Sequence, residues 1–204
     1  MSERSRTRHP IEARSYEILR ARVDTGHLPP LTRAVVERIV HTTADPTWVG
    51  DVIADEDALT AGRAALAAGA PLVVDARMVA AAVTSRPSTV ALDLPGVAEL
   101  AARTDLTRSA AGIRLAAAHY GQDAVWAIGN APTALAELVR LAEEGELRPV
   151  LVIGVPVGFV GSVAAKAALR ATALPSMSTA TERGGAAIAG AAVNALLYAG
   201  EEAT

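Results

Sequence analysis

One histidine stands at the end of an amphipathic segment, among groups that can exchange protons. The stretch from Arg38 to Pro46 places His41 directly after Ile39 and Val40, and two threonines and an aspartate follow it. An imidazole can donate or accept a proton near neutral pH, which makes His41 the first candidate for a general acid or base. The spacing alone favours a structural histidine, so both roles stay open at this point.

Other common catalytic patterns are missing from the sequence. The remaining histidines, His9, His27 and His119, have no metal-ligand spacing, and the chain contains no cysteine. We therefore expect no zinc site, no other metal site and no disulfide. A G-x-S-x-G nucleophile motif is also absent.

A glycine-rich segment, Gly154–Gly161, follows a strongly apolar run. It is a poor dinucleotide fingerprint because its glycine spacing is wrong, Pro156 and Phe159 crowd the turn, and no Walker lysine is in place. Two interpretations stay open. The backbone of this loop lies close to a flat, bulky ligand, or the segment is a strand-to-helix turn without a ligand.

One carboxylate, Asp75, ends the short apolar run 71–75. Its position at the end of a predicted strand suits a catalytic group. It equally suits a residue that caps a helix over residues 76–82.

Composition predicts one folded domain. The chain has 204 residues, of which 51% are hydrophobic, 20% are charged and only 3% are aromatic. We expect residues 1–9 to form a flexible tail and residues 10–204 to form the domain, with a core of small aliphatic side chains. The net charge of −3 gives no nucleic-acid-binding signature. The longest apolar run, 150–165, is interrupted by glycine and proline, so we expect no membrane span and a cytoplasmic protein.

Apolar runs alternate with helical patterns along the chain. This predicts an α/β fold in a single domain, with a mostly parallel sheet and helices on both faces. In such sheets ligands bind beyond the carboxyl ends of the strands. This places Asp75, Gly129-Asn130 and Gly154–Gly161 around one opening at that edge of the sheet, which we call the mouth. Asn130 is also predicted to cap the helix after it. The predicted strands are 71–75, 90–93, 124–128 and 150–154. The predicted helices begin at Pro10 and cover 31–40, 58–68, 78–83, 110–120 (after the stretch 107–109), 132–141, 162–172 and 186–199.

Several stretches together resemble the precorrin-8X methylmutase family, also called cobalt-precorrin-8 methylmutase or precorrin isomerase. The resemblance covers nearly the whole chain, and the most specific stretches are 127–135 and 156–160. The chain departs from the family at Val163-Ala-Ala, where a glutamate is usual shortly before the lysine, and at Ala186, where serine is usual. The matching stretches are 12–15, 38–45, 69–75, 107–111, 127–135, 154–161, 184–185 and 193–196.

This resemblance implies an isomerase of cobalamin biosynthesis that moves a methyl group from C-11 to C-12 of a corrinoid. Because the methyl group stays within the substrate, no cofactor is expected. The position that matches His41 is the family's proton donor and acceptor, and the family forms homodimers with active sites near the subunit interface. The positions that match Ser15, Thr84 and Arg108 look like substrate contacts.

Arginine supplies almost all the basic charge, since Lys166 is the only lysine. A guanidinium can bind a carboxylate with two hydrogen bonds, so arginines suit the acid side chains of a corrinoid. The predicted substrate-binding residues are Arg14, Ser15, Arg20, Arg38, Thr84, Arg108 and Asn130. Two other functions stay open: a dimer that carries a corrinoid without converting it, and a nucleotide-binding oxidoreductase, which fits the fold class but lacks the fingerprint.

Overall fold

The structure is a computed structural model and describes residues 9–199. The predicted flexible tail therefore lies, except for His9, outside the described residues, as do residues 200–204.

A six-stranded sheet forms the centre of the described chain. Its strands follow the order β1-β6-β5-β4-β2-β3, and all neighbours are parallel except the edge pair β1 and β6. The predicted mostly parallel sheet is confirmed. The strands are β1 (Val52–Ala54), β2 (Leu72–Val74), β3 (Thr89–Val90), β4 (Val125–Ile128), β5 (Leu151–Gly154) and β6 (Ser176–Thr179).

Helices cover both faces of this sheet. One face carries α1 (Pro10–Arg22), α2 (Pro30–Thr43), α3 (Glu56–Ala67), α4 (Arg77–Ala82) and α9 (Ala186–Tyr198). The other face is covered by α6 (Arg108–Tyr120), α7 (Pro132–Glu143) and α8 (Ser162–Ala171), with α5 (Val97–Thr104) packed on α6. Two hydrophobic cores result, one on each side of the sheet.

Helix α9 is apolar nearly all round because it lies between the sheet and α2. Its residues Ile188 to Leu196 are all buried, as expected for a helix covered on every side. Helix α2 packs on the outside of α9, and α1 packs on α2. The histidine-bearing helix is therefore separated from the sheet by one layer.

The start of α9 explains the Gly184-Gly185 pair. A Cβ on Gly184 would lie 2.2 Å from the carbonyl oxygen of Val155, and Gly185 has φ +118°. The backbone of this segment therefore contacts the end of β5 directly, which only glycine permits.

Several sequence predictions were wrong at the edges of the sheet. Residues 91–93 form a 3₁₀ helix, so the predicted strand 90–93 is only β3. Strands β1 and β6 and helix α5 were missed. Strand β1 has three residues and β6 is polar, and each is defined by its partner strand rather than by its own hydrophobic pattern.

The predicted roles of two capping residues were also wrong. Helix α4 begins after Ala76 without a side-chain cap, and α7 begins after Ala131, not Asn130. The carboxylate of Asp75 instead accepts hydrogen bonds from the backbone N–H groups of residues 129, 130 and 131. It thus joins the ends of β2 and β4 and satisfies the backbone before α7.

Candidate active site

His41 and Ser15 face each other across the contact between α1 and α2. The Nδ1 atom of His41 lies 2.8 Å from Ser15 Oγ. A serine hydroxyl can donate or accept, so it suits either tautomer of the imidazole. The contact therefore fixes Nδ1 of the imidazole.

Helix α2 continues through His41, which therefore lies in the last helical turn rather than beyond it. The helix ends at Thr43, and Ala44 adopts a left-handed conformation with φ +55°. The carbonyl end of a helix favours a positive charge in its last turn.

An aromatic ring fixes the plane of the imidazole. Tyr16, which follows Ser15, is buried and stacks on His41 with 5.0 Å between ring centroids and 13° between planes. Arg20 lies over the same tyrosine ring at 5.7 Å. Consecutive residues of α1 thus hold His41 in two ways, by a hydrogen bond and by stacking.

A buried carboxylate fastens α1 to α2. Glu37 accepts hydrogen bonds from Arg20 at 2.7 Å, from Arg33 at 2.9 Å and from Thr25 at 2.6 Å. Burial alone would raise the pKa of Glu37, but these donors lower it to about 2. The ionised carboxylate therefore holds Ser15 and Tyr16 in register with His41.

A second set of contacts fixes the chain directly after His41. Arg183 donates to Thr47 Oγ1 at 2.9 Å, pairs with Asp45, and stacks on Trp48 with 3.9 Å to the ring centroid. Because Arg183 immediately precedes the glycines at the start of α9, it ties the end of α2 to the carboxyl edge of the sheet.

Lys166 supports the segment that carries Arg183. Its side chain is fully buried, and its ammonium donates to Thr179 Oγ1 at 2.9 Å and to the carbonyls of Thr181 and Arg183. Burial lowers the pKa of Lys166. The hydrogen-bond acceptors of this ammonium are thus neutral oxygens and not a carboxylate. By binding them, Lys166 holds the loop between β6 and α9 in place.

A cavity of about 110 Å³ opens beside His41. It continues onto a shallow surface along α1, where Ile11 is 74% exposed and Ile18 is 41% exposed. This surface combines an apolar strip with the imidazole at one side. The residues that line the cavity are Ser15, Ile18, Leu19, Arg22, Val23, Val40, His41, Ala44 and Pro46.

Contacting side chains link Arg38 and Thr84 to this site. Arg38 pairs with Glu12 at 2.7 Å, and its guanidinium lies 5.6 Å from the ring centroid of Tyr198. Burial lowers the pKa of Arg38, but Tyr16 and Glu12 raise it above its ordinary value. Thr84 Oγ1 lies 2.8 Å from the Tyr198 hydroxyl.

The other predicted binding residues have different surroundings. Arg14 is exposed and pairs with Glu17, and Arg20 is engaged by Glu37. Arg108 is the exposed first residue of α6, and Asn130 lies in the turn after β4. The latter two belong to the mouth at the strand ends and not to the contacts around His41.

That mouth is assembled as the sequence predicted. The ends of β2, β4 and β5 are adjacent, and Asp75 binds the turn at Gly129. Burial raises the pKa of Asp75, against backbone hydrogen bonds that lower it. The loop after β5 leaves Phe159 94% exposed.

Sequence reasoning missed Tyr16, Glu37, Arg183 and Tyr198. Two of them carried a usable signal: Tyr16 adjoins Ser15, and Glu37 lies one helical turn before His41. The partners of Arg183 and Tyr198 are distant in the sequence, and no local pattern reveals them. Over residues 9–199, no cluster of three metal-binding side chains is found, and no helix is long and apolar enough to cross a membrane.

Comparison with known proteins places the whole described domain in one group. The profile of the family described as Precorrin-8X methylmutase matches residues 10–199. The cobalt-precorrin-8 methylmutase of Methanothermobacter thermautotrophicus is 40% identical over 191 residues, which cover 93% of this chain and 92% of that protein. The precorrin-8X methylmutase of Pseudomonas aeruginosa is 38% identical over 194 residues, with 91% and 93% covered. The crystal structure of the Thermus thermophilus precorrin-8x methyl mutase superposes with a TM-score of 0.85 at 34% identity, and covers 92% of this chain and 93% of that chain.

Proposed function

Because this chain belongs to the precorrin-8X methylmutase family and is an isomerase of cobalamin biosynthesis, we propose that it moves a methyl group from C-11 to C-12 of a corrinoid with His41 as proton donor and acceptor. The observation that carries this role is the placement of the imidazole. Ser15 binds its Nδ1, Tyr16 stacks on its ring, and a cavity opens beside it.

The proposed reaction needs one proton and no redox partner. The protonated imidazole donates from Nε2 to the conjugated macrocycle near ring C, which makes the ring system electron-poor. The methyl group then leaves C-11 with its bonding electrons and bonds to C-12. The proton returns to the imidazole, so substrate and product have the same atoms. A well-placed general acid contributes roughly 10²- to 10⁴-fold to such a step.

Ser15 supports both halves of this proton cycle. When His41 carries a proton on each nitrogen, the Ser15 oxygen accepts from Nδ1. After Nε2 has given up its proton, the neutral imidazole keeps its remaining proton on Nδ1, so Ser15 still accepts from it. The 2.8 Å contact therefore needs no rearrangement between the two states.

The substrate surface suits a flat, apolar ring with acid side chains. Ile11 and Ile18 offer exposed apolar contacts along α1, and Arg14 and Arg22 lie at their edges. Arg22 has no hydrogen bond or ion pair with any described residue, so it can bind a carboxylate without breaking an internal contact. Such contacts weaken as salt rises, which predicts salt-dependent corrinoid affinity.

A homodimer in the cytoplasm completes the proposal. The loop after β5 exposes Val157, Phe159 and Val160 next to the mouth at the strand ends. Contiguous exposed apolar side chains favour association, which supports a subunit interface near the mouth.

The direct test is incubation of the purified protein with precorrin-8X and, separately, with its cobalt form. The visible spectrum follows the change in conjugation. We expect conversion of at least one substrate, and a loss of 10²- to 10⁴-fold for His41→Leu. His27→Leu, an exposed histidine on the loop before α2, is the matched control and keeps wild-type turnover.

Two outcomes would contradict the proposal. Unchanged turnover in His41→Leu would remove this imidazole from the mechanism. Tight corrinoid binding without conversion by the intact protein would instead indicate a carrier.

A further inference from the structure

A second cavity, of about 200 Å³, lies between α2, α3 and α9. It shares one wall with the active site, because Tyr16 borders it and also stacks on His41. Pro30, Ala34 and Arg38 line it at four-residue intervals, so they form one face of α2. Its other lining residues are Leu31, Glu37, Arg63, Asn194, Ala195, Tyr198 and Ala199.

The size of this cavity limits what can occupy it. Pockets for whole drug-sized ligands run from about 300 Å³ upward, and a water molecule takes about 30 Å³. A space of about 200 Å³ therefore holds one side chain of a ligand with a few waters, but no macrocycle.

Arg63 supplies positive charge that no described residue neutralises. It lies on α3, is exposed, and forms no hydrogen bond or ion pair within residues 9–199. Arg38, the other cation on the wall, is already paired with Glu12.

The neighbouring carboxylates are occupied. Glu37 is bound by Arg20, Arg33 and Thr25. Glu56 accepts from the backbone N–H groups of Leu31 and Thr32 at the start of α2.

We propose that this cavity binds one peripheral carboxylate of the corrinoid, with Arg63 as the cation that recognises it. The proposal rests on the corrinoid isomerase function above and adds a binding site to it. His41 lies seven positions after Ala34 on α2, which corresponds to about 10 Å along the helix axis. A tetrapyrrole whose ring lies beside His41 spans this length with an acid side chain.

The location also gives a physical link between substrate binding and the imidazole. A carboxylate bound in the cavity lies beside Tyr16, which also stacks on His41. Binding there immobilises the ring that fixes the imidazole plane. The acid groups of the substrate thus help to position the proton donor.

The test measures equilibrium affinity for two probes: the corrinoid product with free acid groups, and the same corrinoid with its acid groups converted to methyl esters. Arg63→Gln should lower affinity for the acid form about tenfold, as expected for loss of one charge-assisted contact near the surface. Its affinity for the ester form should equal that of the wild type. Ala34→Leu, which fills the cavity and keeps the charge, should also weaken binding of the acid form.

Arg103→Gln is the matched control. Arg103 lies in the last turn of α5, is exposed, and has no partner among the described residues. Its replacement should leave affinity for both probes unchanged, and all three variants should keep the wild-type melting temperature within a few degrees.

The proposal is overturned if Arg63→Gln binds the acid form within twofold of the wild type, or if it loses affinity for acid and ester forms alike. A lower melting temperature with unchanged affinity would assign Arg63 to the fold instead. The isomerase proposal is judged separately, by conversion with the wild-type protein. A wild type that binds the acid corrinoid through Arg63 but never converts it would refute only the isomerase.

Discussion

Replacement of Glu37 by glutamine should change both stability and its pH dependence. The side chain of Glu37 is only 3% exposed and joins Arg20 on α1 to Arg33 on α2. Glutamine has nearly the same shape but no charge, so the variant isolates the electrostatic contribution. Arg20 and Arg33 would lose their anionic partner, and α1 would be held to α2 less firmly.

The size of the effect follows from the pKa. A glutamate ordinarily titrates near pH 4.3, whereas Glu37 in the folded protein has a pKa of about 2. At 1.36 kcal/mol for each pKa unit, this corresponds to about 3 kcal/mol. The side chains of Arg20 and Arg33 are 42% and 40% exposed, so solvent screens the pairs. We therefore expect about 2 kcal/mol.

The sign of the pH dependence is fixed by the lowered pKa. The stabilisation is complete above about pH 4.3, where the carboxyl is ionised in both states, and it is lost as the pH falls toward 2. The wild type should exceed Glu37→Gln by about 2 kcal/mol at pH 7, and the difference should shrink between pH 4.3 and 2.

Urea unfolding at several pH values measures this difference. Glu144→Gln is the control, because Glu144 pairs with Arg140 at an exposed helix end and should change stability by less than about 1 kcal/mol. A gap between wild type and Glu37→Gln that is absent at pH 7, or that stays constant down to pH 2, would refute the electrostatic argument.

Three further substitutions test the site and its supports. Ser15→Ala should lower turnover about tenfold and alter its pH profile, since the partner of His41 Nδ1 is lost; steady-state rates from pH 5 to 9 measure this, and an unchanged profile would count against Ser15. Gly184→Ala should lower the free energy of unfolding by about 2 kcal/mol or more, because the added Cβ meets the Val155 carbonyl. Gly50→Ala is the control: its Cβ meets no atom within 4 Å, so it should cost under about 1 kcal/mol in the same urea titration. Lys166→Met should cost about 3 kcal/mol, because three oxygens lose their donor, and a thermal melt within 2 °C of the wild type would contradict this.

Sequence-based prediction succeeded best for elements whose formation depends on the hydrophobic pattern of their own residues. Strands 124–128 and 150–154 were found because buried parallel strands are continuously apolar. Strands β1 and β6 were missed because their formation depends on pairing with each other and with β5. The residues of a short or polar segment do not by themselves show that the segment will pair as a strand.

The same distinction applies to the site. His41 was singled out from its position at a helix end. Its stacking on Tyr16 depends on how α1 packs against α2, which periodicity does not specify. Local capping rules also failed for Asp75, because its carboxylate binds backbone groups more than 50 residues away.

The burial of Lys166 has a practical consequence for work with this protein. It is the only lysine in the chain, and it is fully shielded from solvent in the folded state. Amine-reactive dyes and cross-linkers therefore find no side-chain target on the folded surface, and acylation at this residue reports on opening of the loop between β6 and α9. A time course of its modification, followed by mass spectrometry, therefore measures the rate of local unfolding around this buried ammonium.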